Sequence, residues 1–248
     1  MKQKMPPDLQ TAVVRYTPYL SEIRKRLLFV FCVFFIAWII GFIYYQPIVS
    51  YIMGLYNLKG INITFTSPFQ YINLAINSGM IVGIIIVLPM VIFQILSFLK
   101  PALKPKEFNL VLKLLPLSIL LFISGFIFGT WLMNFIISMY SQQASGLAIG
   151  NLWDVNKFFS QFFLTAALLG VLFQFPIILT LLLRLGVLKH SSVTKYRIPI
   201  YALLLIVVVF LPPTDIFSLV MMFFPLVIIF ELALLLNRNA GASRNKQN

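Results

Sequence analysis

The sequence predicts an all-α, polytopic membrane protein with six transmembrane helices and both termini cytoplasmic. Three observations carry that expectation. Hydrophobic side chains make up 60% of the 248 residues and charged ones only 10%, against roughly a quarter charged in soluble domains. The interval between Lys59 and Lys100 holds no charge, which far exceeds the ~20 apolar residues that cross a bilayer. The net charge of +13, from 19 Lys and Arg against six acids, falls in clusters between apolar runs. That pattern reads as orientation by basic loops rather than as a nucleic-acid footprint.

Helix 1 is expected over 27–45, where 19 uncharged residues run from Leu27 to Tyr45. Glu22, Arg24, Lys25 and Arg26 precede it, and Pro47 closes it by disfavouring helix at Gln46. From Pro47 to Thr66 the Tyr, Asn and Gly content, with the single charge Lys59, reads as an extramembrane interfacial stretch. Ser67 and Pro68 read as the N-cap and first residue of helix 2. Helix 2, over 68–99, is longer than a minimal span, so tilt, a kink at Pro89 or extension into water is expected. Lys100, Lys104, Lys106 and Lys113, interrupted by Pro101 and Pro105, form a short basic loop.

Helix 3 is read over 114–139, with Pro116 near its start and Gly125 and Gly129 spaced as a small-xxx-small pair. The connection from Tyr140 to Lys157 is nearly uncharged and holds one acid, Asp154. Helix 4, over 158–183, carries Gln174 and Pro176, and a third basic cluster of Arg184, Lys189, Lys195 and Arg197 follows, with His190 among them. Helix 5, over 198–211, has 14 residues before Pro212 and Pro213 stop it; at about 21 Å it barely spans. Helix 6, over 216–236, is capped by Thr214 or Asp215 and holds Glu231. Residues 1–237 thus read as one six-helix membrane domain, and 238–248 as a basic, disordered cytoplasmic tail.

Alternating the sides of these helices places 17 basic residues on one face and only Lys59 and Lys157 on the other, so both ends are assigned to the cytoplasmic side. The first 26 residues contain no apolar h-region or small-residue cleavage site, so no cleaved signal peptide is expected. The lone Cys32 reads as packing, without disulfide or metal. One histidine and one cysteine cannot supply a zinc, haem or diiron centre from this chain. There is also no glycine-rich phosphate loop. His190 lacks the serine and acid of a triad and reads as a loop histidine. Neither catalysis nor a cofactor is expected; transport, scaffolding or reception of a partner remains.

In a membrane chain with six acids, each carboxylate is a candidate. Glu22 and Glu107 lie on the cytoplasmic rim among Arg24, Lys25 and Arg26, or Lys104 and Lys106. They serve either as local ion pairs, Glu22 with Arg26 and Glu107 with Lys104, or as acceptors of a cationic ligand through bidentate guanidinium bonds. Glu231 sits about 8 Å inside the apolar limit of helix 6, a costly depth unless it faces water or protein. Gln174 lies deeper, as helix-packing glue or as part of a polar cavity. Asp215 is a first-turn acid of helix 6 or a functional one.

The ordered features resemble the TatC family, the membrane receptor subunit of the twin-arginine protein translocase, over nearly the whole chain from Tyr19 to Leu236. Leu20-Ser21-Glu22-Ile23-Arg24-Lys25-Arg26-Leu27 is similar to the family's L-x-E-L-R-x-R-L motif, and Ser67-Pro68-Phe69 to its S-P-F before helix 2. Phe98-Leu99-Lys100-Pro101-Ala102-Leu103 with Glu107 resembles its F-x-x-P-A-L-x-x-x-E loop. Phe173-Gln174-Phe175-Pro176 stands at its F-E-x-P position, and Leu211 to Ser218 with Phe230-Glu231 resembles its final turn and helix 6. Two departures stand out. Many members carry glutamate where this chain has Gln174, so a role needing a titrating carboxylate there does not carry over. The last turn reads Pro-Pro-Thr-Asp in place of Thr-Pro-Pro-Asp.

The resemblance implies a concave bundle with short helices 5 and 6 that receives signal peptides bearing consecutive arginines from folded cargo. Glu22 and Glu107 become the acceptors, with Arg24, Phe98 and Pro101 in the same signal-peptide site. Single-span subunits of the TatA and TatB type would dock near Gln174, Asp215 and Glu231, in a homo-oligomer within a larger complex driven by the proton gradient. The expected location is the cell inner (plasma) membrane, or a thylakoid or mitochondrial inner membrane for an organelle-encoded chain. A small secondary transporter or a membrane assembly factor is the alternative.

Overall fold

The computed structural model describes residues 7–55, 62–64, 67–99, 105–146 and 152–238. The chain order is α1 (Pro7–Ile43), α2 (Tyr45–Leu55), β1 (Asn62–Thr64), α3 (Gln70–Leu99), α4 (Pro105–Gly146), β2 (Leu152–Asp154), α5 (Val155–Leu172), α6 (Phe175–Arg184), α7 (His190–Lys195), α8 (Arg197–Val209) and α9 (Ile216–Leu236). Five stretches are long and apolar enough to cross a bilayer: Ser21–Ile43, Gln70–Gln94, Leu112–Gln143, Val155–Arg184 and Ile216–Leu236. A sixth, α8, is apolar but only 13 residues long.

The helices outrun the apolar intervals that announced them. The helix expected over 27–45 begins at Pro7, where a first-turn proline sacrifices no hydrogen bond. The one expected over 114–139 runs from Pro105 to Gly146. Apolar runs mark only the part suited to lipid, while polar turns extend α1 at its N-terminal end and α4 at both ends. Pro47 does not mark the end of the first helix. The break falls at Tyr44, and Pro47 sits in the first turn of α2, where its missing N–H has no partner to lose. The interfacial stretch thereby includes most of an 11-residue helix that exposes Tyr51, with Tyr44 exposed at the break before it. Ser67, Pro68 and Phe69 form a turn ahead of α3, closed by Gln70 N–H donating to the Ser67 carbonyl at 3.2 Å, so the helix starts at Gln70 rather than at 68.

The helix expected over 158–183 is two helices. Pro176 has no N–H to donate to the Leu172 carbonyl and its ring crowds that carbonyl, so the chain turns at Phe173 and Gln174 before α6 resumes at Phe175. Helix 5 shortens from 198–211 to Arg197–Val209, whereas α9 matches 216–236. Its N-cap is Asp215, whose Oδ1 accepts the Ser218 N–H at 2.8 Å. Two features had no sequence expectation: the six-residue α7, and a parallel pairing of β1 with β2 in the register Asn62 to Leu152 and Thr64 to Asp154. That ladder ties the segments preceding α3 and α5 at the end opposite the basic clusters.

The core follows α5 and α6. Their span is 67% buried, against 11% for the α1 span, so this pair forms the axis and α1 lies at the edge, packed mainly along α3. Phe158, Phe159, Phe162 and Phe163 of α5 meet Leu74 and Ile81 of α3 and Met133 and Ile137 of α4. Further along, Leu169 and Phe173 pack with Leu132, Ile136, Val208, Met222 and Leu226. At the basic end Leu179 and Leu183 of α6 meet Leu204, Phe230 and Leu234. Many outward Phe, Ile and Leu side chains stay exposed, as lipid-facing surfaces require.

Glycines set how closely α1 can approach α3. A Cβ on Gly79 would lie 2.6 Å from the Trp38 carbonyl oxygen, and one on Gly41 would meet Val82 Cβ at 2.8 Å. The Trp38 indole also donates to the Ile76 carbonyl at 3.3 Å, so the helices cannot separate without losing it. Gly79→Ala is therefore expected to cost about 2 kcal/mol of stability, read as a lowered thermal midpoint in detergent.

Candidate functional site

At the basic end, α1 carries two chemically distinct faces. Glu22 and Arg26 stand four residues apart and pair, with Arg26 Nη2 at 2.5 Å and Nε at 3.1 Å from Glu22 Oε1. Arg26 Nη1 also donates to the carbonyl and side-chain oxygens of Gln94 at 3.0 and 3.1 Å. The ion pair thus fastens α1 to α3. Glu22 Oε2 makes no hydrogen bond among the described residues, and the side chain is 41% exposed. Arg24 lies about 200° around the helix from Glu22 at 100° per residue. With Thr17, Ser21, Lys25 and Leu28 it lines a cavity of about 460 Å³. The structure therefore separates Arg24 from Glu22.

Glu107 is the third residue of α4, a position where the helix dipole favours an acid. Phe98 is next to last in α3. Their backbones are placed, but their side chains lie outside what is described, as does Pro101 altogether. Their spatial proximity to Glu22 is therefore an expectation from the sequence alone.

Gln174 sits at the break between α5 and α6, only 6% exposed. Its Oε1 accepts the Ser118 hydroxyl at 2.5 Å, and its Nε2 donates to the Ser118 carbonyl at 3.1 Å. Both halves of the amide are used by one residue of α4, which favours the packing role over a polar cavity.

Asp215 and Glu231 bracket α9 and stand about 24 Å apart at 1.5 Å per residue, so they do not form one site. Asp215 accepts from the Ser218 backbone at 2.8 Å and from the Ser218 hydroxyl, and Tyr140 of α4 bonds to it as well. Beside it, the Thr165 hydroxyl of α5 donates to the Pro212 carbonyl. Burial pushes the Asp215 carboxyl up, but the hydrogen bonds from Ser218 and Tyr140 outweigh it and hold the pKa below its usual value. A lowered folded pKa gives stability that is complete above the unfolded value of about 3.9 and lost as pH falls through the folded one. Asp215→Ala is expected to cost about 1 kcal/mol at neutral pH, with the gap to wild type closing in acid, as thermal unfolding across pH would show.

Glu231 lies at the basic end. Its Oε1 accepts the Tyr201 hydroxyl, and Oε2 is 3.6 Å from Arg197 Nη1. Near it, buried Asn237 bonds to Thr180 Oγ1 at 2.8 Å and accepts from Arg184 Nε at 2.9 Å, and His190 Nε2 lies 3.2 Å from the Leu234 carbonyl. Toward the opposite end, Asn77 donates to Asn156 and Ser160 at 3.0 and 2.5 Å, and Gln70 to Asp154 at 2.5 Å. Sequence reading passed over Arg26 with Gln94, Asn237 with Thr180, and Asn77. The available signal was an amide or hydroxyl inside or at the edge of an uncharged apolar run, where each needs a partner.

Comparison with known proteins agrees with this architecture. The family model described as "Sec-independent protein translocase protein (TatC)" matches residues 18–225. TatCy of Bacillus subtilis (strain 168) is 28% identical over 229 residues, which cover 92% of this chain and 90% of that protein. TatC of Listeria innocua is 29% identical over 223 residues, covering 89% and 90%. A crystal structure of the twin-arginine translocase receptor TatC in DDM shares the fold, with a TM-score of 0.78, 24% identity and coverage of 88% of this chain and 98% of that one. The chain belongs to the TatC family: it is a multi-pass membrane subunit of the Sec-independent protein translocase, a transport component and not an enzyme.

Proposed function

We propose that this chain is the signal-peptide receptor of a twin-arginine translocase, and that the basic end is where the signal lands. The observation that carries the reading is the Glu22 carboxylate. Arg26 holds it against α3 through Oε1, leaving Oε2 without a described partner on a half-exposed side chain. A guanidinium approaching this basic face is repelled only within about 8 Å at physiological salt, and there a charge-assisted bond to Oε2 favours it. Glu107 takes the second arginine, Arg24 and Lys25 bound the site on the other side of α1, and Phe98 and Pro101 contact the flanking apolar residues.

In this reading all six apolar helices cross the membrane with α8 as a short span, both termini are cytoplasmic, and 1–237 is one domain with a basic tail. The membrane is the cell inner (plasma) membrane. TatA- and TatB-type subunits dock along α8 and α9 between Asp215 and Glu231, copies of the chain assemble in a larger complex, and the proton gradient drives transport. Expression in cells lacking their own receptor tests it. A folded reporter with a twin-arginine signal is exported when the matching single-span subunits are supplied, and export fails for the same reporter with paired lysines; export that ignores the arginines would reject the reading.

A further inference from the structure

Glu231 and Leu234 of α9 and Asn237 at its C-cap recur every third residue and follow one side of the helix. They meet Arg197 at 3.6 Å, His190 at 3.2 Å and Arg184 at 2.9 Å. With Lys189, Lys195 and Arg238 adjoining in the chain, this corner sets five cationic side chains against one described carboxylate, Glu231. Such a like-charge cluster is relieved by an external anion.

Arg197 leaves its hydrogen-bond donors unused among the described residues, apart from the long contact to Glu231. Arg26 and Arg184 each donate to protein acceptors. Arg197 has none within hydrogen-bond distance among the described residues: its carboxylate contact is long and its Nε is enclosed without a partner. The side chain is nevertheless 39% exposed. Beside it in the chain Tyr196 and Ile198 are exposed, as are Leu235 and Leu236 at the end of α9, and Lys195 lies 5.9 Å from the Tyr196 ring centre. Cations, an interfacial tyrosine and open aliphatic side chains in succession match a phospholipid from headgroup to acyl chain. Helix α8, with 13 residues, is about 20 Å long, shorter than the ~30 Å hydrocarbon layer. With α8 as a short span, as in the reading above, local thinning would draw headgroups down toward Arg197.

We propose that Arg197, flanked by Lys195 at the basic ends of α8 and α9, binds the phosphate headgroup of an anionic phospholipid. The site is separate from the Glu22 rim and does not rest on the signal-peptide reading.

The full-length chain, purified in detergent, is incubated with phosphatidylglycerol or with phosphatidylcholine of the same acyl chains, and retained lipid is counted by native mass spectrometry. Wild type is expected to retain phosphatidylglycerol in preference. Arg197→Gln lowers that retention about fivefold, the effect of one cation at an anionic headgroup, whereas Lys113→Gln, which also removes a cation from the basic end, leaves it unchanged. Should Arg197→Gln fail to fold, Lys195→Gln, at an exposed position, is expected to lower retention in the same direction. Equal retention of the two lipids by wild type, or wild-type retention by the folded variants, would overturn the proposal. Displacement of the lipid by excess inorganic phosphate would reassign the site to free phosphate and overturn it equally.

Discussion

Valine at Gly129 is expected to keep α4 from docking on α5 and to lower stability by about 3 kcal/mol. A Cβ at this position would lie 2.6 Å from Ala166 Cα and 3.3 Å from Ala166 N, so the clash is with backbone and no rotamer relieves it. Gly125, one turn earlier, has the same relation to the Leu169 carbonyl at 2.8 Å, and Gly170 faces Phe122 from the other helix at 2.6 Å. Two backbones in contact along this seam bring Leu132 and Ile136 against Leu169 and Phe173. Moving the helices apart by the width of two methyl groups unpacks that cluster. Thermal unfolding in detergent reads the effect; a valine variant with the wild-type midpoint would show that the close approach does not hold.

The largest functional effect is expected at the rim carboxylates. Glu22→Ala and Glu107→Ala each lower affinity for a twin-arginine signal peptide by about tenfold or more, since a hydrogen bond to a charged group contributes roughly 1.5–3 kcal/mol. Glu22→Ala also releases Arg26 from its carboxylate while leaving its bonds to Gln94, so the variant is expected to fold. Titration of labelled peptide into the chain in nanodiscs measures the loss, and unchanged affinity in both variants would remove the carboxylates from the site.

The sequence marked what a bilayer imposes directly and missed what only packing decides. Helix α9 was legible to the residue because Pro212 and Pro213 end the preceding segment, Asp215 caps the start through Ser218, and the first polar residue after Leu236 is Asn237. The extents of α1 and α4 were not, because hydropathy follows lipid contact while these helices continue into water. Pairing of β1 with β2 joins residues about 90 positions apart in three-residue strands, too short to show alternation and dependent on α3 and α4 returning the chain to the same end. The break at Gln174 lies two residues before Pro176, inside a stretch read as one continuous helix.

Among the site residues, the Glu22 and Arg26 pair followed from helical spacing alone, while its docking on Gln94 required α1 and α3 to be side by side. Gln174 needed a partner by its depth, and Ser118, 56 residues away, had no mark in the sequence. Asp215 was legible as a first-turn acid of α9, whereas the Tyr201 and Arg197 partners of Glu231 depend on α8 lying beside α9. The glutamine at 174 also defines what this member does at that position. Its amide gives a hydrogen bond and accepts one from the same serine, an exchange that an ionised carboxylate cannot make.

The most direct measurement is photocrosslinking of two signal peptides to the wild-type chain in membranes, identical except that one carries paired arginines and the other paired lysines. The arginine peptide is expected to crosslink to α1 near Glu22 and to the start of α4 near Glu107, and the lysine peptide several-fold less because it lacks the planar fork of donors. Equal labelling by the two peptides, or labelling confined to the opposite end of the bundle, would contradict it.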